Sequence, residues 1–209
     1  MKIAILGEGI TAKAVTKNQD RLGYQVTSQS EAELIVASPG IPNEKLPQTN
    51  LEIISEVEFA YRLIQKQEKK PKIIGVTGTN GKSTVTALIA HCLEAPPLGN
   101  FGDPLINYVG KKHPYLVVEL SSYQLERTVA FKPDIALILN ITPDHLERHK
   151  TIEEYSFQKA KIVKNQDQAD TVIYYKDDSR VTQIATSSNA KLDGFNVDSD
   201  KGEYCKYSE

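Results

Sequence analysis

The chain has 209 residues, which at roughly 150 residues per domain corresponds to one large domain or two small ones. Apolar residues make up 40% and charged residues 25%, a balance that excludes a disordered, collagen-like or coiled-coil protein. Twenty-five Lys and Arg against 27 Asp and Glu give a formal charge of -2, so no general attraction to nucleic acid or to a membrane surface is expected.

The cysteines and the apolar runs point to a reducing compartment. Cys92 and Cys205 match neither a disulfide framework nor the spacing of metal ligands. No apolar run is long enough to cross a membrane, and the apolar stretch at the N-terminus is too short for a signal peptide. We therefore expect a cytoplasmic protein with neither a membrane nor a nucleic acid as partner. A monomer is also expected.

The first seventy residues alternate strands with helices. Apolar runs predict strands at 3–6, 24–27 and 34–37. Helical composition at 13–17 follows a glycine turn, and helical apolar spacing runs from 55 to 70, before a proline. Because strands that alternate with helices form parallel sheets, we expect a Rossmann-like N-terminal domain over 1–70.

Residues 71–209 repeat this pattern and are expected to form the second domain. Strands are predicted at 72–76, 115–119, 135–140 and 171–175, and helices at 83–93 and 152–165. The sequence becomes polar after Asp177, and no closing helix or strand is predicted there. The fold class is therefore α/β, with the N-terminal domain followed by a P-loop-type ATPase domain that has a mainly parallel sheet.

The strongest chemical signal is Gly-Thr-Asn-Gly-Lys-Ser-Thr at 78–84, between a predicted strand and a helix. Backbone N–H groups in such a loop bind phosphates, Lys82 would reach the terminal phosphates, and Ser83 would bind Mg²⁺. Val76 stands where the strict P-loop pattern has its first glycine. The motif predicts a nucleoside triphosphate site, with tight packing of the turn as the alternative. The predicted residues are Gly78, Thr79, Asn80, Gly81, Lys82, Ser83 and Thr84.

Another glycine turn, Gly7-x-Gly9-x-x-Ala12, comes earlier in the chain and is called the first glycine turn. It satisfies the dinucleotide fingerprint. The acidic residue expected about 20 positions later is missing, because Thr27 and Ser28 occupy that region. Close packing of strand and helix is the alternative explanation for these glycines. We therefore do not predict NAD.

Polar residues follow two further predicted strands. Glu119 ends one, and Asp144, His145 and His149 follow another. Ligands of open α/β sheets bind at the carboxyl ends of strands, so Glu119 could bind Mg²⁺ together with Ser83. His145 could bind a metal or carry protons. A solvated carboxylate and a surface histidine are the alternatives.

Three ordered segments carry a family resemblance: the phosphate-loop motif, Glu-Leu-Ser-Ser-Tyr-Gln-Leu at 119–125 and Asn-Ile-Thr-Pro-Asp-His-Leu at 140–146. Together they resemble the Mur ligases. Ala-Ser-Pro-Gly-Ile-Pro at 37–42 and Ile-Ile-Ser-Glu-Val-Glu-Phe at 53–59 are similar to the member that joins D-glutamate to UDP-N-acetylmuramoyl-L-alanine. The resemblance implies ATP-driven peptide-bond formation in peptidoglycan precursor synthesis, with ATP and Mg²⁺ as cofactors.

The resemblance also implies a mechanism and roles for residues. In the family, the substrate carboxylate attacks the γ-phosphate of ATP, and the amine of D-glutamate displaces the resulting acyl phosphate. Lys82 would hold the β- and γ-phosphates, Ser83 and Glu119 would bind one Mg²⁺, and His145 would bind a second. The family carbamylates a lysine four residues after a tyrosine, which fits Lys159 better than Lys161; a solvated lysine is the alternative for both.

For the UDP-sugar, the resemblance implies contacts from the first glycine turn, the Ser-Pro-Gly turn and an asparagine after the phosphate-loop helix. The corresponding residues are Ile10, Thr11, Ser38, Gly40 and Asn100, with Ser121 and Gln124 as further candidates.

Two departures from the family pattern leave alternatives open. The N-terminal domain is short around 24–33 and lacks the Asp-Thr-Arg-like segment that usually follows the second strand. The chain is also expected to stop within the central domain, before the family's C-terminal domain that holds D-glutamate. The alternatives are a fragment that binds nucleotide and UDP-sugar without turnover, and another amide ligase, such as a sister Mur ligase or a folylpolyglutamate synthetase.

Overall fold

The computed structural model describes residues 1–196 and contains two sheets. The strands are β1 (Lys2–Leu6), β2 (Gln25–Val26), β3 (Leu34–Ala37), β4 (Ile53–Ile54), β5 (Lys72–Thr77), β6 (Pro97–Gly99), β7 (Tyr115–Glu119), β8 (Ile135–Ile138), β9 (Thr171–Tyr175) and β10 (Lys191–Phe195). The helices are α1 (Ile10–Lys17), α2 (Gln19–Leu22), α3 (Glu56–Gln65), α4 (Lys82–Cys92), α5 (Ser122–Glu126), α6 (Leu146–His149), α7 (Ile152–Ala160) and α8 (Ser179–Thr186).

Both sheets are parallel throughout, which confirms the predicted α/β class. The first sheet has the order β2-β1-β3-β4, and the second has the order β10-β9-β8-β5-β7-β6. The chain passes from the first sheet to the second between α3 and β5. The division into domains at residue 70 stays a prediction, because one cluster of buried apolar side chains includes residues from both sheets.

The register of the second sheet explains where its polar residues meet. Strand β5 lies between β7 and β8, and Val76 pairs with Glu119 on one side and with Leu137 on the other. These strands are apolar because each is covered by neighbours, as parallel strands generally are. Their carboxyl ends therefore bring the loops after Thr77, Glu119 and Ile138 to one edge of the sheet.

Helix α3 connects the two sheets through buried carboxylates. Ser55 caps the helix by accepting the N–H of Glu58, and the fully buried Glu58 carboxylate accepts the N–H groups of residues 129–131. Glu56 accepts the N–H of Ile106 at 2.6 Å, and burial raises the pKa of this carboxyl to about 7. Each carboxylate thus satisfies backbone donors of the segments that surround the second sheet.

One sequence prediction was wrong: regular structure continues after Asp177. Helix α8 is capped by Asp178, whose side chain accepts the N–H groups of Arg180 and Val181. Strand β10 then pairs along the whole of β9. The helix is short and β10 contains Lys191 and Asp193, so neither gave a clear apolar pattern.

Several predicted boundaries also differ from the structure. The strand predicted at 24–27 is shortened to Gln25–Val26, and the one predicted at 135–140 ends at Ile138. The helix predicted at 55–70 ends at Gln65, and the one predicted at 152–165 ends at Ala160. The short strands β4 and β6 were not predicted. Cys92 is an exposed free cysteine, whereas Cys205 and the polar segment 197–209 lie outside the described residues. Within residues 1–196, every helix is too short or too polar to span a bilayer.

Candidate functional site

The phosphate loop joins β5 to α4 in a conformation that depends on glycine. Thr77 ends β5, and Lys82 begins α4. Gly81 caps the helix with φ +82°, a left-handed conformation that costs other L-residues strain. The N-terminus of α4, with its unpaired N–H groups, therefore follows directly on the glycine turn, as phosphate binding requires.

The segment after β8 holds the phosphate loop in place. The N–H of Thr79 donates to the Asn140 carbonyl at 2.9 Å, and the N–H of Asn80 donates to Asn140 Oδ1 at 2.8 Å. The Asn140 side chain returns a bond from Nδ2 to the Asn80 carbonyl at 3.0 Å. The N–H of Thr142 donates to Thr79 Oγ1 at 3.0 Å. Two of the three resembling motifs are thus bound to each other through main-chain groups and the side chains of Asn140 and Thr79.

Two lysines lie at the phosphate loop, and one of them is buried. Lys159 is 1% exposed, and its Nζ donates to the Gly78 carbonyl at 2.7 Å. Burial, together with the positive charge of Lys82, lowers the pKa of Lys159 to about 7. Lys82 Nζ donates to the Thr79 carbonyl at 2.8 Å. Lys161 instead donates to the Glu126 carbonyl at 2.6 Å. The structure therefore places Lys159, and not Lys161, at the loop, and the burial of Lys159 excludes a solvated side chain.

Tyr155 connects the phosphate loop to this lysine and to His145. The tyrosine is buried, and its hydroxyl donates to Thr79 Oγ1 at 3.2 Å. Lys159 Nζ lies 4.7 Å from the centre of the Tyr155 ring, and the His145 ring lies 6.2 Å from it. In the sequence analysis Tyr155 serves only to locate Lys159, and its contact with the loop is not predicted. The spacing of four residues places both side chains on one face of α7.

Glu119 is buried beside the phosphate loop with one oxygen left free. The residue is 1% exposed, so the solvated alternative is excluded. Its Oε1 accepts from Asn100 Nδ2 at 2.9 Å, whereas its buried Oε2 has no partner among the described residues. An unpartnered carboxylate oxygen is costly unless a donor or a cation approaches it. The free oxygen therefore fits a role in cation binding.

The donors near the loop suit Mg²⁺ better than a metal held entirely by protein. Within residues 1–196 there is no group of three or more His, Cys, Asp or Glu side chains that could hold a metal ion. Mg²⁺ commonly binds through one or two protein oxygens together with phosphates and water. Ser83 and Thr84 are exposed on the first turn of α4, where a ligand could reach them.

His145 lies at the edge of this site rather than in it. It caps α6 with φ +53°, and its side chain is 43% exposed. Its ring nitrogens lie 3.6 Å from carboxylate oxygens of Asp144 and Glu147, and its ring lies 4.9 Å from that of Tyr123. Among the residues described, no hydrogen bond joins His145 to Ser83 or Glu119, so its metal role stays a prediction.

The first glycine turn packs directly against the Ser-Pro-Gly turn. A Cβ on Gly7, which has φ +108°, would lie 2.5 Å from Ser38 Oγ. That hydroxyl is buried without a partner in the described part of the chain. Ile10 is 76% exposed at the start of α1, Gly40 is exposed, and a groove of about 490 Å³ runs along α1. Ile10, Thr11, Ser38 and Gly40 thus lie at the carboxyl ends of β1 and β3.

The other predicted substrate residues lie on the second sheet. Asn100 is bound to Glu119. Ser121 and Gln124 form a capping box at the start of α5, in which each side chain accepts the backbone N–H of the other. This gives both residues a structural role in the helix cap, and their contact with substrate stays a prediction.

Sequence reasoning missed two arginines that reach from the second sheet to the Ser-Pro-Gly turn. Arg127 follows α5, Arg148 lies in α6, and both donate to the Ile41 carbonyl. Neither arginine belongs to one of the resembling motifs. Because the two contacts join residues 86 and 107 positions apart in the sequence, periodicity and spacing carry no signal for them.

The sequence has curated relatives with a common name. UDP-N-acetylmuramoylalanine--D-glutamate ligase of Clostridioides difficile strain 630 is 38% identical over 183 residues, which is 82% of this chain and 40% of the relative. The protein of the same name from Thermus thermophilus is 38% identical over 82% of this chain and 42% of its own length. The chain thus spans about two fifths of the length of these relatives.

Solved structures agree in fold. A UDP-N-acetylmuramate:L-alanyl-gamma-D-glutamyl-meso-diaminopimelate ligase from Neisseria meningitides superposes with a TM-score of 0.60 at 15% identity, over 93% of this chain and 79% of that one. A MurF ligase from Thermotoga maritima in complex with ADP gives 0.54 at 17% identity, over 94% of this chain and 47% of that one. The sequence model of the Mur ligase middle domain matches residues 76–206, more than half of the chain. This chain therefore belongs to the Mur ligase family.

Proposed function

We propose that this chain acts in the ATP-dependent joining of D-glutamate to UDP-N-acetylmuramoyl-L-alanine, a step of peptidoglycan precursor synthesis in the cytoplasm. The observation that supports this most is the 36–42% identity to ligases named for D-glutamate over 162–188 residues. Structural neighbours named for other Mur ligases have 15–21% identity and carry the fold alone. This difference favours the D-glutamate ligase over a sister ligase.

ATP would bind with its phosphates at the start of α4. The N–H groups that follow Gly81 point toward this position, and the positive charge of Lys82 lies beside it. The Lys82 ammonium would exchange the Thr79 carbonyl for the β- and γ-phosphates. Charge-assisted bonds of this kind are about twice as strong as neutral ones.

Mg²⁺ would be held by the Ser83 hydroxyl and by the free Oε2 of Glu119. When bound, the cation offsets the negative charge that gathers on the phosphates. Asn100, which donates to the other oxygen of Glu119, fixes the orientation of this carboxylate. His145 would hold a second Mg²⁺.

Lys159 is proposed as the carbamylated lysine of the family. Its amine, with a pKa of about 7, is neutral in a substantial fraction of molecules near neutral pH. A neutral amine nitrogen can attack the carbon of CO₂ and release one proton, which gives a carbamate. The change would convert a buried cation into an anion next to Lys82 and so remove the repulsion between the two lysines.

The reaction itself would depend on positioning and charge. The carboxylate of the UDP-linked substrate would attack the γ-phosphate, and the amine of D-glutamate would displace the acyl phosphate. Ser38, Gly40 and Asn100 would hold the UDP-linked substrate so that its carboxylate reaches the loop. Correct orientation of two bound reactants alone is worth several kcal/mol of the barrier.

A second candidate is a module that binds Mg-ATP and the UDP-linked substrate without turnover. The observation behind it is that the chain spans about two fifths of its curated relatives. Closure of a further domain over a bound nucleotide is a common way to exclude water and complete a site.

An assay of phosphate release separates the two candidates. The purified chain is mixed with Mg-ATP, UDP-N-acetylmuramoyl-L-alanine and D-glutamate, and each component is omitted in turn. The ligase predicts release that needs all three, a product heavier by one glutamate residue in mass spectrometry, and loss of both in Lys82→Ala. Binding of both ligands with no release above the Lys82→Ala background would contradict turnover by this chain and support the binding module.

A further inference from the structure

The Ser-Pro-Gly turn and the three residues after it, 38–43, are together called the Ser38 turn. This segment is held in place by side chains from the second sheet. Arg127 Nη2 donates to the Ile41 carbonyl at 2.5 Å and to Asn43 Oδ1 at 2.9 Å, and its Nη1 donates to the Ser38 carbonyl at 3.4 Å. Arg148 Nη2 donates to the same Ile41 carbonyl at 3.0 Å. Two guanidinium groups therefore hold the carbonyls of one turn.

The two arginines bring more positive charge than their surroundings neutralise. Arg148 also pairs with the Glu126 carboxylate, which is 9% exposed. Arg127 is 6% exposed, and its hydrogen bonds to the Ser38 turn go to uncharged oxygens. Burial lowers the pKa of this guanidinium; the Glu126 carboxylate opposes that shift in part, and the charge of Arg148 adds to it. The two guanidinium groups thus share one carboxylate, and this excess of positive charge suits a site that receives an anion.

Three buried polar atoms at the Ser38 turn and its two arginines lack a hydrogen-bond partner among the described residues. They are the Nε atoms of Arg127 and Arg148 and the Oγ of Ser38. Buried polar groups in proteins generally find partners, so three free atoms around one turn are unusual. The Ser38 turn is thus bordered by donors and by positive charge that the described chain leaves unmatched.

The segment after β2 brings no positive charge to the first sheet. Residues 27–33, Thr-Ser-Gln-Ser-Glu-Ala-Glu, contain no Lys or Arg and two carboxylates. Strand β2 therefore delivers no cation to the carboxyl end of the first sheet, where β1 and β3 bring the two glycine turns together. Arg127 and Arg148 approach the same end from the second sheet.

We propose that Arg127 and Arg148 are positioning residues for the UDP-linked substrate: they fix the Ser38 turn, and their positive charge favours binding of the substrate's diphosphate. This inference rests on the proposed function. It assigns to two residues outside the family motifs the charge that the segment after β2 does not supply. A guanidinium suits the task because its planar fork binds several carbonyl oxygens at once while the charge is kept.

The test compares two ligands in the same variants by titration calorimetry. Arg127→Met is expected to weaken binding of UDP-N-acetylmuramoyl-L-alanine at least about tenfold and to change the Mg-ATP dissociation constant by less than about twofold. Arg127→Lys keeps the charge but loses the fork, and its loss should lie between those of wild type and Arg127→Met. Binding of the UDP-linked substrate should also fall with added salt more steeply in wild type than in Arg127→Met.

Arg62→Met is the matched control, because Arg62 is likewise held by oxygens but pairs with Glu52 and Glu58 away from the turn. It should leave the affinity for both ligands unchanged. Equal weakening of both ligands in Arg127→Met, or no weakening of either, would overturn the inference alone. If wild type binds Mg-ATP but not the UDP-linked substrate, the proposed function fails and the inference falls with it. If Arg127→Met does not fold, Arg127→Lys decides by the same two titrations.

Discussion

The two glycine turns of the molecule have the same plan but different surroundings. Each follows an inner strand of a parallel sheet and leads into a helix, β1 to α1 in one case and β5 to α4 in the other. The first turn packs against Ser38, whose hydroxyl has no partner in the described residues. The second is bound by Asn140, Thr142, Tyr155 and Lys159.

This difference shows which part of a glycine motif carries chemistry. At Gly7 the glycine is needed because Ser38 leaves no room for a side chain, so packing accounts for the glycine itself. At the phosphate loop, hydrogen bonds from the segment after β8 and from α7 fix main-chain groups of residues 78–80, as a preorganised anion site requires. The polar groups around a turn, more than its glycines, therefore distinguish the phosphate loop from the first glycine turn.

The largest effect is expected from the buried lysine, which the first turn lacks. The pKa of Lys159 is about 7 in the folded chain against an ordinary 10.5. Below pH 7 both states bind the proton; between pH 7 and 10 the unfolded state binds more, so stability should rise with pH. The slope is up to about 1.4 kcal/mol per pH unit. Guanidinium unfolding in bicarbonate-free buffer should show this rise in wild type and not in Lys159→Met; equal slopes would contradict a buried amine whose pKa is lowered.

The glycines of the first turn should differ sharply from each other. Gly7→Ala places a Cβ 2.5 Å from Ser38 Oγ at φ +108° and should lower the free energy of unfolding by about 2–3 kcal/mol. Gly9 has nothing within 4 Å of an added Cβ, so Gly9→Ala should change it by less than about 1 kcal/mol. Thermal or chemical unfolding of both variants checks this. Similar losses in the two would show that packing does not define the first turn.

Matched threonines compare the surroundings of the two turns directly. Thr79 Oγ1 donates to the Thr142 carbonyl and accepts from the Thr142 N–H and the Tyr155 hydroxyl. Thr79→Val leaves these groups unmatched and should cost about 1–3 kcal/mol of unfolding free energy. Thr11 has no side-chain hydrogen bond among residues 1–196, so Thr11→Val should cost less than about 0.5 kcal/mol. A Thr11 loss as large as that of Thr79 would remove the distinction between the turns.

The smallest effect concerns the single bond from Tyr155 to the loop. Tyr155→Phe keeps the ring against Lys159 but removes the donor to Thr79, and should cost about 1 kcal/mol. In a double-mutant cycle with Thr79→Val, the two losses should be non-additive by about 0.5–1 kcal/mol. Strict additivity would mean that Tyr155 acts on the loop through its ring alone.

Much of the fold could be predicted from the sequence because buried parallel strands form continuous apolar runs. The bounds of β3, β7 and β9 agree with the predicted ones. Helix α8 has too few apolar residues to give a clear helical pattern in the sequence. Strand β10 is identified by its pairing with β9, which the sequence does not show. Strand pairing over long sequence distances is decided by tertiary contacts, which local patterns do not contain.

The candidate site was predictable where the chemistry lies in one segment. The phosphate loop could be proposed from 78–84 alone, and Lys159 from the family resemblance, which has a lysine four residues after a tyrosine; the carbamylation of Lys159 stays a prediction. The burial of Lys159 and the free oxygen of Glu119 could not, since both depend on how strands and helices pack. Arg127 and Arg148 escaped prediction for the same reason: their partners lie in the first sheet, far away in sequence.

We propose the loop at 78–84 as a working nucleotide site, and titration of the 209-residue chain with Mg-ATP is the direct test. We expect saturable binding in wild type, loss of that binding in Lys82→Ala, and an unchanged affinity in Lys13→Ala, which alters an exposed lysine beside the first glycine turn. Absence of binding in wild type, or binding that survives in Lys82→Ala, would contradict it.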